Sequence, residues 1–290
     1  MSALDLTSAA GSAPQLAAGL PWPELGVNAA ATAATALAVM LATFVVGVTK
    51  NVHRVVDVSW GLAFTAVALV TFGLSAGHGD PATRLLVTLA TAGWGLRLAV
   101  HIALRGRGHG EDPRYARMLD KASGNRALYA LRVVYLTQGA LVWLVSLPVQ
   151  VAQYAPVPAG PFLWAGLALW AAGVAFEAVG DGQLARFKAD PANRGRVMDR
   201  GLWSWTRHPN YFGDFLVWWG LFLTACATWQ GAAVSLVSPL VMSYLLVWGS
   251  GKRLLERHMA ERPGYAAYRA RTSGFLPRPP RPRTPWDPPR

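Results

Sequence analysis

Residues 56–77 read VDVSWGLAFTAVALVTFGLSAG, a run whose one charge, Asp57, stands at its leading edge. It has the roughly 20 residues that a helix needs to cross ~30 Å of hydrocarbon. It does not alternate polar and apolar side chains, as a membrane-barrel strand must. With no water inside a bilayer, such a segment satisfies its backbone only as a helix. Working outward, runs of the same kind recur at 27–48, 82–104, 127–153, 158–180, 211–228 and 231–250. The chain is therefore expected to be all-α, a polytopic membrane protein of about seven transmembrane helices. The last two runs are divided only by Ala227-Thr228-Trp229-Gln230-Gly231, and a single helical hairpin is the other way to read them.

Composition and charge placement support the same reading. The 290 residues are 53% apolar and 14% charged, against about 25% charged in a soluble domain. That excludes an ordinary water-soluble globule and a disordered chain, both of which carry more charge. A single cysteine, Cys226, excludes an internal disulfide and any Cys-x-x-Cys motif. The net charge of +12 would suggest nucleic acid in a soluble protein, but segments 49–55, 105–126, 181–210 and 251–290 hold 24 of the 27 Lys and Arg residues. The alternate side holds only Arg84. Cationic loops stay cytoplasmic, which places the N-terminus outside and the C-terminus in the cytoplasm, and predicts no nucleic-acid partner. Residues 1–26 form an N-terminal extension without the basic start of a cleaved signal peptide. Residues 27–276 form the membrane domain, and 277–290 a Pro/Arg-rich tail suited to anionic headgroups.

Polar residues inside or beside these runs are the candidates for chemistry, because a carboxylate within a span is costly and usually functional. Residues 201–214 read GLWSWTRHPNYFGD. Pro209 can open a helix, which sets Asn210 and Asp214 one turn apart on one face. Arg207 and His208 stand at the membrane entry, where a cation meets phosphate. The same stretch also suits an interfacial anchor, with Trp203, Trp205 and Tyr211 as an aromatic belt. Upstream, Glu177 and Asp181 share a helix face near Lys188, followed by Arg194, Arg196 and Arg200. That is a set for a ligand with phosphates and hydroxyls, or a salt-bridged helix end. Downstream come Lys252, Arg253, Glu256, Arg257 and His258, then Tyr265 and Tyr268, which read as an amphipathic surface helix with an unexplained carboxylate. In the first half, Asp57 opens a span, Arg97 lies inside another, and Glu111, Asp112, Arg114 and Tyr115 follow in a loop. Arg97 is a plausible partner for Asp57. The six His residues show no metal-ligand spacing, so no metal is expected.

At these residues the chain resembles the steroid 5-alpha-reductase-like membrane family, in its bacterial branch of unknown function, over roughly residues 50–278. The specific elements are Asp181-x-Gln183, Gly201-Leu202 through Arg207-His208-Pro209-Asn210-Tyr211-x-Gly213-Asp214, and Arg262-Pro263-Gly264-Tyr265 through Thr272-Ser273-x-Phe275-x-Pro277. The resemblance implies a seven-helix fold that binds NADPH in its C-terminal half, about 156–276, with the substrate half at about 27–155. It implies cofactor contacts at Asp181, Lys188, Arg196, Asn210 and Asp214, with Arg207, His208 and Tyr211 in the same element. Arg253 and Glu256 follow by approximate alignment. Lys188 stands where an Arg is common, and Asp214 where a Glu is common. A similar Arg-His-Pro-x-Tyr-x-Gly element occurs in isoprenylcysteine carboxyl methyltransferases, where it binds S-adenosylmethionine. The family's Gln-Glu pair is missing here, and Trp94 stands at the position of its substrate-polarising Tyr. Asp57, Tyr115 and Glu111 are the residues that can replace those groups.

The leading expectation is an NADPH-dependent reductase of a lipophilic conjugated enone, embedded in a bacterial inner membrane among membrane lipids. A methyltransferase using S-adenosylmethionine and a non-enzymatic lipid-binding protein are the alternatives.

Overall fold

The computed structural model describes residues 19–249 and 251–280. Its elements are α1 (Trp22–Lys50), α2 (Val55–Leu74), α3 (Pro81–Gly106), α4 (Pro113–Leu119), α5 (Arg126–Ala130), α6 (Thr137–Val145) and α7 (Leu147–Ala152). They continue with α8 (Pro161–Ala189), α9 (Leu202–Trp205), α10 (Pro209–Ala225), α11 (Trp229–Ser235), α12 (Val237–Val247), α13 (Lys252–Met259) and α14 (Tyr265–Arg271). A π-helical stretch, Leu131–Leu136, joins α5 to α6. Among the described residues no strand forms, and the one sheet-like contact is an isolated parallel bridge between Thr206 and Ser273.

The protein is an integral membrane protein: six helical stretches, Trp22–Lys50, Val55–Leu74, Pro81–Gly106, Arg126–Ala152, Pro161–Ala189 and Trp229–Met259, are long and apolar enough to span. The run expected at 211–228 forms α10, whose 17 residues sit at the lower end of spanning length. Several boundaries differ from the hydropathy reading. The first helix starts at Trp22 rather than 27, because Pro23 and Glu24 suit a first turn. Helix α8 continues past residue 180 to Ala189, so Asp181 and Lys188 stand on the same rod as the membrane run. The fourth run is interrupted at Ser146, before Pro148. The expected tail lies outside the described residues from 281 onward, as does the extension up to residue 18.

The chain divides into two compact units. One comprises the described residues up to Trp164 with Phe222–Ser238. Here α2 and α3 approach through Gly61 and Gly95, where an added Cβ would lie 2.1 Å and 2.5 Å from the opposite backbone carbonyl oxygen. Small residues allow such contact, which in lipid supplies packing that the hydrophobic effect cannot. Gln150, after the interruption, accepts from Thr32 Oγ1 at 2.8 Å and Asn28 Nδ2 at 3.2 Å and donates to Ser146 Oγ at 2.9 Å. This pins α7 to α1.

The second unit comprises Ala165–Leu221 and the described residues from Pro239. Helices α8 and α10 run antiparallel along a seam in which Gly220 meets Gly166, Gly213 meets Gly173, and Pro209 meets Gly180. The seam draws α10 onto the polar end of α8 and so positions the site.

Candidate functional site

In the first unit the polar residues expected at the start of α2 do converge. Asp57 accepts from Tyr115 Oη at 2.5 Å and from Arg114 at 3.0 Å. Gln138 hydrogen-bonds the Tyr115 hydroxyl and accepts from Trp60 Nε1. Tyr115 is 6% exposed. Burial and the neighbouring Asp57 carboxylate push its phenol well above the usual range, so it is a hydroxyl donor at neutral pH. Arg97 was the partner suggested for Asp57 by sequence; Arg114 and Tyr115 fill that place. Glu111 takes a different part. Its two oxygens accept from the backbone N–H groups of His53 (2.5 Å), Arg54 (3.0 Å) and Asp112 (2.9 Å). His53 and Arg54 stand just ahead of α2 and Asp112 just ahead of α4, so one carboxylate ties together the entries of two helices.

In the second unit the segment between α8 and α10 is fastened at both ends. Leu202 N donates to Gln183 Oε1 at 2.9 Å, and Trp203 Nε1 to the Gly180 carbonyl at 2.9 Å. Helix α14 and the stretch after it are sewn onto the same segment. Arg207 N donates to Ser273 O at 2.9 Å, Thr206 Oγ1 to Phe275 O at 2.8 Å, and Tyr268 Oη to Trp203 O at 2.6 Å. At the centre, Glu256 Oε1 lies 2.8 Å from Arg207 Nε, 2.7 Å from Arg207 NH2 and 3.2 Å from His208 Nε2. Arg207 also donates to the carbonyls of Arg269 and Thr272. Its fork is thus filled by protein groups. Arg271 meets Asp199 at 2.5 Å.

These ties frame a cavity of about 640 Å³, within the ~300–1,000 Å³ typical of small-molecule sites. Lys188, Arg194, Arg196, His258 and Arg262 line it, with Asp190 as the one carboxylate in its lining among the described residues. Phe187, Trp203, Tyr265 and Tyr268 are the aromatic residues of its lining. Arg194, Arg196 and Arg262 are exposed, so they can turn towards a ligand. The arrangement suits an extended anion carrying flat rings.

Of the residues predicted to bind a cofactor, Lys188, Arg196, Arg207 and His208 line the cavity. Asp181, Asn210, Tyr211, Asp214, Arg253 and Glu256 lie outside its lining. Asn210 Nδ2 reaches Asp181 Oδ1 at 3.4 Å, Tyr211 stacks on His208 with ring centroids 5.4 Å apart, and Arg253 is exposed. Arg194, Arg262, Tyr265 and Tyr268 were visible as members of charged and aromatic clusters, but nothing in the spacing assigned them to one site. Among the described residues no group of three His, Cys, Asp or Glu side chains could hold a metal ion.

A family model described as a protein of unknown function, DUF1295, matches residues 43–272. The chain belongs to the DUF1295 family. The DUF1295 match takes in both the Asp57–Tyr115 cluster and the whole lining of the cavity. An uncharacterized protein of Schizosaccharomyces pombe is 26% identical over 260 residues, covering 79% of this chain and 74% of the yeast protein. No solved structure matches the chain.

Proposed function

We propose that this DUF1295 protein is a membrane reductase that uses NADPH to reduce a lipophilic conjugated enone. The observation that carries the reading is the cavity of the second unit, with Lys188, Arg194, Arg196, Arg207 and Arg262 in its lining against the one carboxylate of Asp190. Forked guanidiniums suit phosphate, and aromatic walls suit flat rings. S-adenosylmethionine has no phosphate and a cationic sulfur, and would be repelled by such a lining. In this reading Arg194, Arg196, Lys188 and Arg262 hold the phosphates, and Tyr265 and Tyr268 flank a ring. The cationic loops lie on the cytosolic side, with the N-terminus outside, in a bacterial inner membrane as the sequence resemblance implies.

If bound there, NADPH would supply hydride chemistry towards the β-carbon of an enone. The chain's own part is to bind, exclude water and furnish a proton. In the first unit, the Tyr115 hydroxyl, which donates to Asp57, is our candidate for the group that polarises a substrate carbonyl. Arg114 keeps the Asp57 carboxylate paired while that proton is held. Glu111 acts only by fixing the backbone at the start of α2.

The test is thermal unfolding of the detergent-solubilised protein with NADPH, NADH or S-adenosylmethionine. At 100 times its Kd a ligand adds about 2.7 kcal/mol to the folded state, so NADPH raises the midpoint, and the Arg194→Ala/Arg196→Ala double variant loses that rise. Stabilisation by S-adenosylmethionine alone overturns the proposal.

A further inference from the structure

Helix α13 carries two unlike faces. Leu255, His258 and Met259 line the cavity, and Glu256 holds Arg207 and His208. At roughly 3.6 residues per turn, Arg253 and Arg257 each stand just over half a turn from Leu255 and Met259. Neither arginine is in the cavity's lining, and both are exposed. Like charges one turn apart on one face repel, and among the described residues neither arginine meets a carboxylate. Leu254 stands beside them, 37% exposed.

The end of α12 sets the level at which this outer face lies. Tyr244 and Trp248 are 60% and 59% exposed there, and exposed aromatics of that kind mark headgroup depth on a spanning helix. Helix α13 opens at Lys252, too soon after Trp248 to leave that depth. We propose that Arg253 and Arg257, with Leu254 beside them, form a docking face for the phosphate of an anionic phospholipid at this membrane surface. Forked guanidiniums match the phosphate oxygens, and the leucine meets the upper acyl chain, which a free phosphate in water does not have. A basic helix with one apolar neighbour on its polar side is suited to lie in the interface plane. Arg253, which the resemblance places among the cofactor contacts, is thereby given a different ligand. The proposal does not depend on what fills the cavity.

The experiment is native mass spectrometry of the full-length protein released from detergent, titrated with short-chain phosphatidylglycerol or phosphatidylcholine. A basic side chain at an anionic surface strengthens binding roughly fivefold, so two arginines should give the natural protein a clear preference for phosphatidylglycerol. Arg253→Gln/Arg257→Gln should lose most of that preference. Arg107→Gln/Lys121→Gln, which removes as much exposed charge from the first unit, should keep it. Glycerol phosphate, the headgroup chemistry without acyl chains, should not displace the lipid at matched concentration. A preference that survives in the α13 variant overturns the proposal. So does an equal loss in both variants, which means diffuse charge, and so does full displacement by glycerol phosphate, which means a site for soluble phosphate. If the α13 variant does not fold, a nitroxide at Leu254→Cys in a Cys226→Ser background decides. In bilayers it should collide with oxygen in preference to a water-soluble nickel complex, and the reverse overturns the proposal.

Discussion

One oxygen of Glu256 holds both Arg207 and His208, and this concentrates stability and proton state at a single atom. Breaking such a largely buried pair from one side leaves a charge without its partner. Glu256→Gln is therefore expected to destabilise the protein by roughly 3 kcal/mol, measured by denaturant titration in detergent. Acidification tests the imidazole. Because burial lowers the folded-state pKa of His208 beneath 6.5, the unfolded chain takes up the proton first as pH falls. Stability contributed by the neutral ring is thus full above pH 6.5 and declines as pH drops towards the lowered value. Midpoints recorded between pH 8 and 5 should fall less steeply for His208→Gln; parallel curves would show that His208 does not titrate this way. At this scale the sequence was legible in kind but not in partnership. Arg207 and His208 stood out by their place at the membrane entry, and Glu256 only as an unexplained carboxylate to which the resemblance gave a role. That they would grip one another could not be seen, since 48 positions separate His208 from Glu256 and no periodicity links them.

Helices α8 and α10 lie close enough that glycine backbones touch carbonyls, with an added Cβ at Gly213 only 2.5 Å from Gly173 O. Gly213→Leu forces the pair apart and should cost about 1–3 kcal/mol as an overpacked interface, together with loss of NADPH stabilisation, because the seam positions the cavity's floor. Gly26 supplies the contrast. Nothing lies within 4 Å of a Cβ there, so Gly26→Ala should stabilise α1 by roughly 0.5–1 kcal/mol through helix propensity. Equal effects of the two substitutions in the same unfolding assay would refute the seam. The elements themselves were plain from hydropathy because a bilayer demands long apolar runs. Their ends were less so. Lys188 was read beside the Glu177–Asp181 face, but that this face continues the membrane run as one helix to Ala189 was not visible, because the helix goes on beyond the apolar run on polar residues. The π-helical stretch within Arg126–Ala152 leaves the hydropathy untouched, so no run of apolar letters could reveal it.

For the whole molecule, topology decides which solution the cavity meets. In a Cys226→Ser background, a cysteine at His78 should react with a membrane-impermeant maleimide added to intact cells, whereas one at Lys121 should react only after lysis. The opposite pattern would turn the cationic face outward and separate the site from intracellular NADPH. The all-helical class and the bias of basic loops were legible because they depend only on where apolar runs and cations fall along the chain. The cavity was not, because its lining comes from segments distant in sequence: Trp203 on the floor and Tyr268 in the wall are 65 positions apart. This spacing has a consequence during synthesis. The ribosome delivers the floor to the bilayer well before the wall exists, so a nascent chain halted short of Glu256 would expose Arg207 and His208 with their carboxylate still untranslated.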